Sequence, residues 1–334
     1  MKKIVLIFLD IILVILLSVV IIVNITPRPV VWLANALIFG GAPESSTLPN
    51  YNEMEAKVTI TKDEVYTSAY PENTFDVYTP NKEPGKTYPV IFWVHGGGFV
   101  GGDKSMIENY GVALASEGYT VIALNYSVAP DYVYPTPVIQ TKEFVDFVLT
   151  NKEKYNIDAS KLFFAGDSAG AQIVSQFVIT QTNANYASEV GIEQVVPESS
   201  IKGMLLYCGP YELTGLANSD NVVFSFIFSQ IGWSYIGEKD WVQSPLAKQA
   251  SIVDNVNADF PPAYITDGNT ASFESMGRNL ADKLRSLNVD VRERFYSVDE
   301  FVTGHEYQFI MGNVPGQTTY QDTVQFLKER LQDN

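Results

Sequence analysis

The sequence predicts an α/β domain with a mainly parallel central sheet flanked by helices, preceded by an N-terminal transmembrane helix. Three observations carry this. A long, mostly apolar run lies near the N-terminus, short β-rich runs alternate with helical ones from about Ser45 onward, and glycine-rich turns follow two of the apolar strands. Of 334 residues, 46% are hydrophobic and 13% aromatic, ample for a packed core. The formal net charge of -16 comes without clustered Lys and Arg, so no nucleic-acid partner is expected. One cysteine, Cys208, allows no intramolecular disulfide and no CxxC-type metal site, and two histidines leave little for zinc. Cys208 lies in the apolar run GMLLYCG and reads as a buried core residue.

Residues 1–27 read as a transmembrane signal anchor. From Ile4 to Ile25 the run is apolar except for Asp10, Ser18 and Asn24, long enough to cross a hydrocarbon core of about 30 Å. A signal-peptide core is shorter, roughly 7 to 15 residues, although Ala34 to Ala36 offers a distant cleavage site for that rival reading. Lys2 and Lys3 precede the run and only Arg28 follows closely, which places the N-terminus in the cytoplasm and the bulk of the chain outside: a single-pass protein of the cell membrane. Asp10 lies near enough to the headgroups to be hydrated or paired with Lys3. Residues 28–44 form a juxtamembrane segment, whose PVVWLANALIF stretch suits an interfacial helix or a strap over the domain.

The remaining residues, 45–334, read as one domain. Strands are expected at 55–63, 75–80, 88–96 and 119–127, with a helix at 106–118 between the last two. A helix at 136–155, a strand at 161–168 and a helix at 169–182 follow, then strands at 202–209 and 262–268, a helix at 273–287, a strand at 289–297 and a final helix at 318–332. Only 211–261 departs from the alternation. Its aromatic VVFSFIFSQIGWSYIG suits a cap, a cleft wall or a peripheral helix.

Chemistry enters at the turn FFAGDSAGA. Gly166-Asp167-Ser168-Ala169-Gly170 fits G-x-S-x-G between an apolar strand and an apolar helix, the context of a nucleophile elbow. Ser168 would sit exposed on a strained turn, while Gly166 and Gly170 let strand and helix approach closely. Earlier, HGGGF explains its own glycines. A tetrahedral transition state needs preorganised donors for its oxyanion, and Gly97, Gly98 and Ala169 can present bare backbone N–H groups. His95 is then a structural residue of the turn.

HGGGFVGG before GDSAG, with NYSVAPDYVYP between them, resembles the α/β-hydrolase esterases of the hormone-sensitive-lipase type and the related feruloyl and acetyl esterases, over roughly Tyr88 to Phe309. The resemblance implies the α/β-hydrolase fold, no metal or organic cofactor, and a catalytic histidine at His305 in VTGHEYQF. A base that follows the serine in the chain suits this fold. The resemblance also places a carboxylate in the loop after the penultimate strand, where YITDGNTASFESMG departs from the pattern: Asn269 or Ala271 falls there. Asp267 has the charge but stands a few residues early, and Asn269 could fix the histidine tautomer without charge. Glu212 and Glu274 are more distant options. Asp267 is the expected third member, with Asn269 as the alternative.

The expected function is a serine carboxylesterase acting on a small-molecule ester, short-chain and including acylated carbohydrate, through an acyl-enzyme intermediate. The rival is a non-catalytic, membrane-tethered binding domain on a hydrolase scaffold, motivated by the displaced acid.

Overall fold

The apolar N-terminal run forms one helix, α1 (Lys2–Ile25), in the computed structural model, which describes residues 2–39, 41, 43–81, 83, 85–218 and 221–332. It is the one helix among the described residues that is long and apolar enough to cross a membrane. Its side chains pack on little else, and Ile4 to Leu9 are more than half exposed. Two residues later the chain enters α2 (Arg28–Ala34), which continues as a wider helical turn to Phe39.

An eight-stranded sheet organises the rest: β1 (Val58–Val65), β2 (Thr74–Pro80), β3 (Tyr88–Val94), β4 (Thr120–Leu124), β5 (Ile157–Asp167), β6 (Ile201–Tyr207), β7 (Ala263–Thr266) and β8 (Val291–Arg294), in the order β1-β2-β4-β3-β5-β6-β7-β8. β1 and β2 run antiparallel to their neighbours and the others are parallel. The central strands read as near-continuous apolar runs because helices cover both faces. On one face Ile91, Trp93 and Leu205 meet α3 (Glu108–Ser116) and α8 (Val314–Arg330). On the other, Phe92 and Phe164 meet α4 (Thr136–Thr150), α5 (Ala169–Thr182) and, toward the far edge, α7 (Glu274–Ser286). This is the α/β-hydrolase architecture that the resemblance implied.

Several element boundaries differ from the sequence reading, and three of the differences have a local cause or consequence. The helix expected at 136–155 stops at Thr150, where Asn151 caps the last carbonyls and the chain turns into an early start of β5 at Ile157. β8 is only four residues long, an edge strand with one neighbour. The final helix begins at Val314 because the Asn313 side chain caps it, accepting from Gly316 N at 2.9 Å, with Pro315 inside its first turn.

Within 211–261, α6 (Val222–Ile236) starts on an Asn221 cap and ends at Gly237 in the left-handed region (φ 85°). Its inner half is pinned to the core: Tyr235 stacks on Phe99 at 4.0 Å, and a Cβ on Gly232 would fall 2.2 Å from the Trp241 ring. Its outer half borders the cavity described next.

Candidate active site

The functional candidates gather at the carboxyl ends of the parallel strands, where open α/β sheets place their ligand crevices. Ser168 leaves β5 at φ 48°, ψ -123°, a conformation disfavoured for a residue with a Cβ. Two glycines make the turn sterically feasible. A Cβ on Gly166 would lie 2.5 Å from Gly170 O, and one on Gly170 would lie 2.0 Å from Val94 O on β3. The Ser168 N–H donates to Tyr207 O on β6 at 2.8 Å, locking the elbow to the sheet.

From Ser168 a chain of hydrogen bonds runs inward. His305 Nε2 lies 3.0 Å from Ser168 Oγ, and His305 Nδ1 lies 2.7 Å from Ser272 Oγ. The Ser272 hydroxyl in turn donates to Asp267 Oδ1. A carboxylate oxygen of Asp267 and an imidazole nitrogen of His305 are within 4.8 Å of each other, so the two come together with a hydroxyl between them. Phe273 sets its ring edge-on to the imidazole at 5.3 Å. Burial pushes the Asp267 carboxyl up to about 7 and the His305 imidazolium down to about 4. The base is therefore neutral at pH 7.

The other acid-position candidates lie elsewhere. Asn269 donates through Nδ2 to Phe301 O at 2.7 Å and Tyr296 O at 3.1 Å, and its Oδ1 accepts from Thr303 N at 3.0 Å. With its amide spent on bracing two loops, Asn269 has no hydrogen bond to His305, and the Asn269 alternative is corrected accordingly. Glu212 accepts from Asn279 at 2.7 Å, and Glu274 pairs with Arg278.

Sequence reasoning missed two residues. Ser272 stands beside the position where the resemblance would put an acid, and a hydroxyl there was the available signal. Glu306, directly after His305, is held in the left-handed region (φ 59°) with Oε1 3.7 Å from His305 Nε2. It faces Asp167, whose Oδ1 accepts from Trp93 Nε1 and Oδ2 from Gly96 N, each at 2.7 Å. Burial raises both carboxyls, Asp167 to about 6, and the charge of Asp167 together with the hydrogen bond between the two raises Glu306 further. The pair thus retains a proton under the elbow.

Gly98 and Ala169 line a cavity of about 410 Å³ together with Ser168 and His305. Gly97 (φ 121°) lies behind it, where a Cβ would strike Gly101 O at 2.2 Å. Among the described residues, no protein group accepts from the amides of Gly97, Gly98 or Ala169. Buried His95 donates from Nδ1 to Gly96 O at 2.6 Å and stacks on Tyr126 at 4.5 Å, a structural role for the turn. Cys208, Asp267 and His305 cluster closely; burial pushes the Cys208 thiol well above its usual range, and its Sγ accepts from Glu306 N at 3.3 Å.

Residues 75–275 match the family model BD-FAE. Esterase LipQ of Mycobacterium tuberculosis is 24% identical over 200 residues, covering 59% of this chain and 45% of that protein. An acetyl esterase of Salmonella schwarzengrund is 33% identical over 109 residues, covering 32% of this chain and 34% of that protein. The chain thus spans about half, or less, of the length of these curated relatives. Among solved structures, esterase B from Lactobacillus Rhamnosis superposes with a TM-score of 0.73 at 20% identity, covering 84% of this chain and 90% of that one, a likeness of fold.

Proposed function

The chain belongs to the BD-FAE family, and from that membership and the assembled site we propose a serine carboxylesterase that hydrolyses short-chain acyl esters through an acyl-enzyme. The observation that carries the reading is the continuous path Ser168 Oγ, His305 Nε2, His305 Nδ1, Ser272 Oγ, Asp267 Oδ1. His305 Nε2 takes the Ser168 proton as Oγ bonds the acyl carbon, and the oxyanion faces the amides of Gly98 and Ala169, with Gly97 shaping the turn. The imidazolium then protonates the leaving alkoxide as the C–O bond breaks, and water repeats the sequence to release the acid. Ser272 accepts from Nδ1–H and donates to Asp267, which fixes the tautomer that leaves Nε2 free as a base. This supplies what the displaced acid seemed to lack, so the motive for a non-catalytic reading falls away.

Apolar walls support the acyl part of the assignment. Ile38, Phe39, Leu216, Phe228 and Ile231 surround the cavity, and among the described residues its polar lining side chains beyond Ser168 and His305 are Asn218, Ser272 and Ser275. Recognition of an acylated carbohydrate would therefore rest on its acyl group. The protein should be labelled once by a fluorophosphonate, on Ser168, and should turn over p-nitrophenyl acetate. A folded protein that does neither would overturn the assignment.

The pH profile tests the Asp267 role. Asp267 gains its charge as pH rises through about 7, whereas His305 is already neutral above about 4. Below pH 7 the protonated carboxyl cannot stabilise the imidazolium, so kcat/KM should climb through about pH 7. In Asp267→Asn that limb should vanish, leaving only the His305 limb near pH 4. A limb at pH 7 that survives the substitution belongs to another group.

The same proposal divides the chain into a membrane anchor (1–27), a juxtamembrane segment (28–44) and an extracytoplasmic hydrolase domain (45–334) whose 211–261 insertion walls the cavity. Cleavage near Ala34 to Ala36 would cut away α2, whose Val31 and Ala34 are buried on the domain. The full-length protein should accordingly stay with membranes through a carbonate wash and expose the domain to external protease. A soluble chain starting near Leu37 would contradict the anchor.

A further inference from the structure

α1 does not simply tether the domain at a distance, because the segment that follows it builds the active-site cavity. The last turn of α1 and the start of α2 are tied down directly: Lys239, just past α6, donates to Asn24 O at 2.7 Å, and Arg28 pairs with Asp131 at 2.8 Å. α2 then packs against α6, and thirteen residues beyond the hydrogen-bonded Thr26 the Phe39 ring lies so close to Gly98 that a Cβ there would fall 2.9 Å from it. Ile38 and Phe39 form one wall of the cavity, and Phe224 and Ile227 of α6 form another.

The outer sides of these same two segments are apolar and exposed. Trp32 is 72% exposed, Leu37 74%, Val222 81% and Val223 65%, with Leu33 and Phe226 beside them. A run of this kind around a pocket mouth calls for an apolar partner. The partner is specified by chain length: a helix that ends at Ile25 inside or at the edge of a bilayer leaves only Thr26 and Pro27 before α2. The exposed Trp32 and Leu33 of α2, and Leu37 in the turn that follows, therefore lie at headgroup depth, where Trp is favoured. Resting on the esterase and anchor readings above, we infer that the cavity mouth between α2 and α6 is seated on the bilayer surface, and that the enzyme takes short acyl esters of membrane-resident alcohols directly from the lipid phase. The alkyl part of such a substrate stays among the lipid chains while its ester passes between Phe39 and Phe224 to Ser168.

The test uses the full-length protein in phosphatidylcholine vesicles and two substrates: p-nitrophenyl acetate in solution, and 1-hexadecyl-2-acetylglycerol within the vesicles. Leu37→Asp with Val223→Asp places charge on the rim, outside the cavity lining. Acetate release from the vesicle ester should fall at least tenfold, while p-nitrophenyl acetate turnover stays within about twofold. Equal loss on both substrates, or undiminished release from the vesicle ester, overturns the inference. A second measurement is independent of activity. Phosphatidylcholine brominated on its acyl chains should quench part of the tryptophan fluorescence, and Trp32→Phe should remove the quenched component. Protein that is recovered with the vesicles but unquenched overturns the docking while leaving the anchor intact. Quenched protein that hydrolyses neither ester supports the docking and instead removes the esterase reading.

Discussion

Ser168→Ala should lower kcat for ester hydrolysis by about 10⁶, the scale found when the serine of a catalytic triad is removed, and should abolish fluorophosphonate labelling. The size of the effect follows from what is lost. Among the described residues no other hydroxyl shares the elbow geometry, in which φ 48° at Ser168 aims Oγ at His305 Nε2 across 3.0 Å. The Gly98 and Ala169 amides proposed as oxyanion donors are untouched by the change and should leave residual turnover above the water reaction, about 10³-fold in comparable hydrolases. Because among the described residues Ser168 Oγ makes no hydrogen bond beyond the one to His305, the variant should keep the Tm of the parent within a degree or two. Labelling that persists in Ser168→Ala would place the nucleophile elsewhere.

Asp267→Asn is the second large effect. Its carboxylate lies within 4.8 Å of an imidazole nitrogen. At an effective dielectric of about 20, two unit charges that far apart attract by about 3.5 kcal/mol. Removing the charge should therefore cost about 10² to 10³ in kcat. The cost rises toward the ~10⁴ known for a directly bonded triad aspartate if the new amide donates to Ser272, because the Ser272 hydroxyl would then donate to Nδ1 and leave Nε2 protonated. Stability should move the other way. Burial raises the folded-state pKa of Asp267 from 3.8 to about 7, so the stability associated with its proton is full below pH 3.8 and lost as pH rises through 7. At pH 8 Asp267→Asn should be at least as heat-stable as the parent while being far less active. Asn269→Ala should show the opposite pattern, a lower Tm from the lost loop braces with little change in kcat of the folded enzyme.

The parts of the site that the sequence made legible are those encoded within a few residues. Ser168 and its two glycines sit on one strand-turn-helix, and the alternation of apolar strands and helices is local too. His305 was reachable because the resemblance places the base in the segment after the last strand, and the chain holds only two histidines. The partner of His305 was harder, since the loop 268–273 folds back with Ala271 at φ 50° and brings Ser272, five residues along, between Asp267 and the imidazole. Nothing in the spacing of residues on one strand encodes such a return. Asn269 misled for a related reason, as its partners Tyr296, Phe301 and Thr303 are some thirty residues away in the chain. The stretch 29–39 read equally well as an interfacial helix or a strap, and only the contact of Phe39 with Gly98 makes it a wall of the cavity.

The hydroxyl link between His305 and Asp267 is best tested by a double-mutant cycle on kcat/KM with Ser272→Ala, Asp267→Asn and the pair combined. If the two residues act as one path, each single change should cost about 10² or more, and the double variant should fall no more than about threefold below the worse single. Losses that multiply, or a fully active Ser272→Ala, would contradict the path from Ser168 through Ser272 to Asp267.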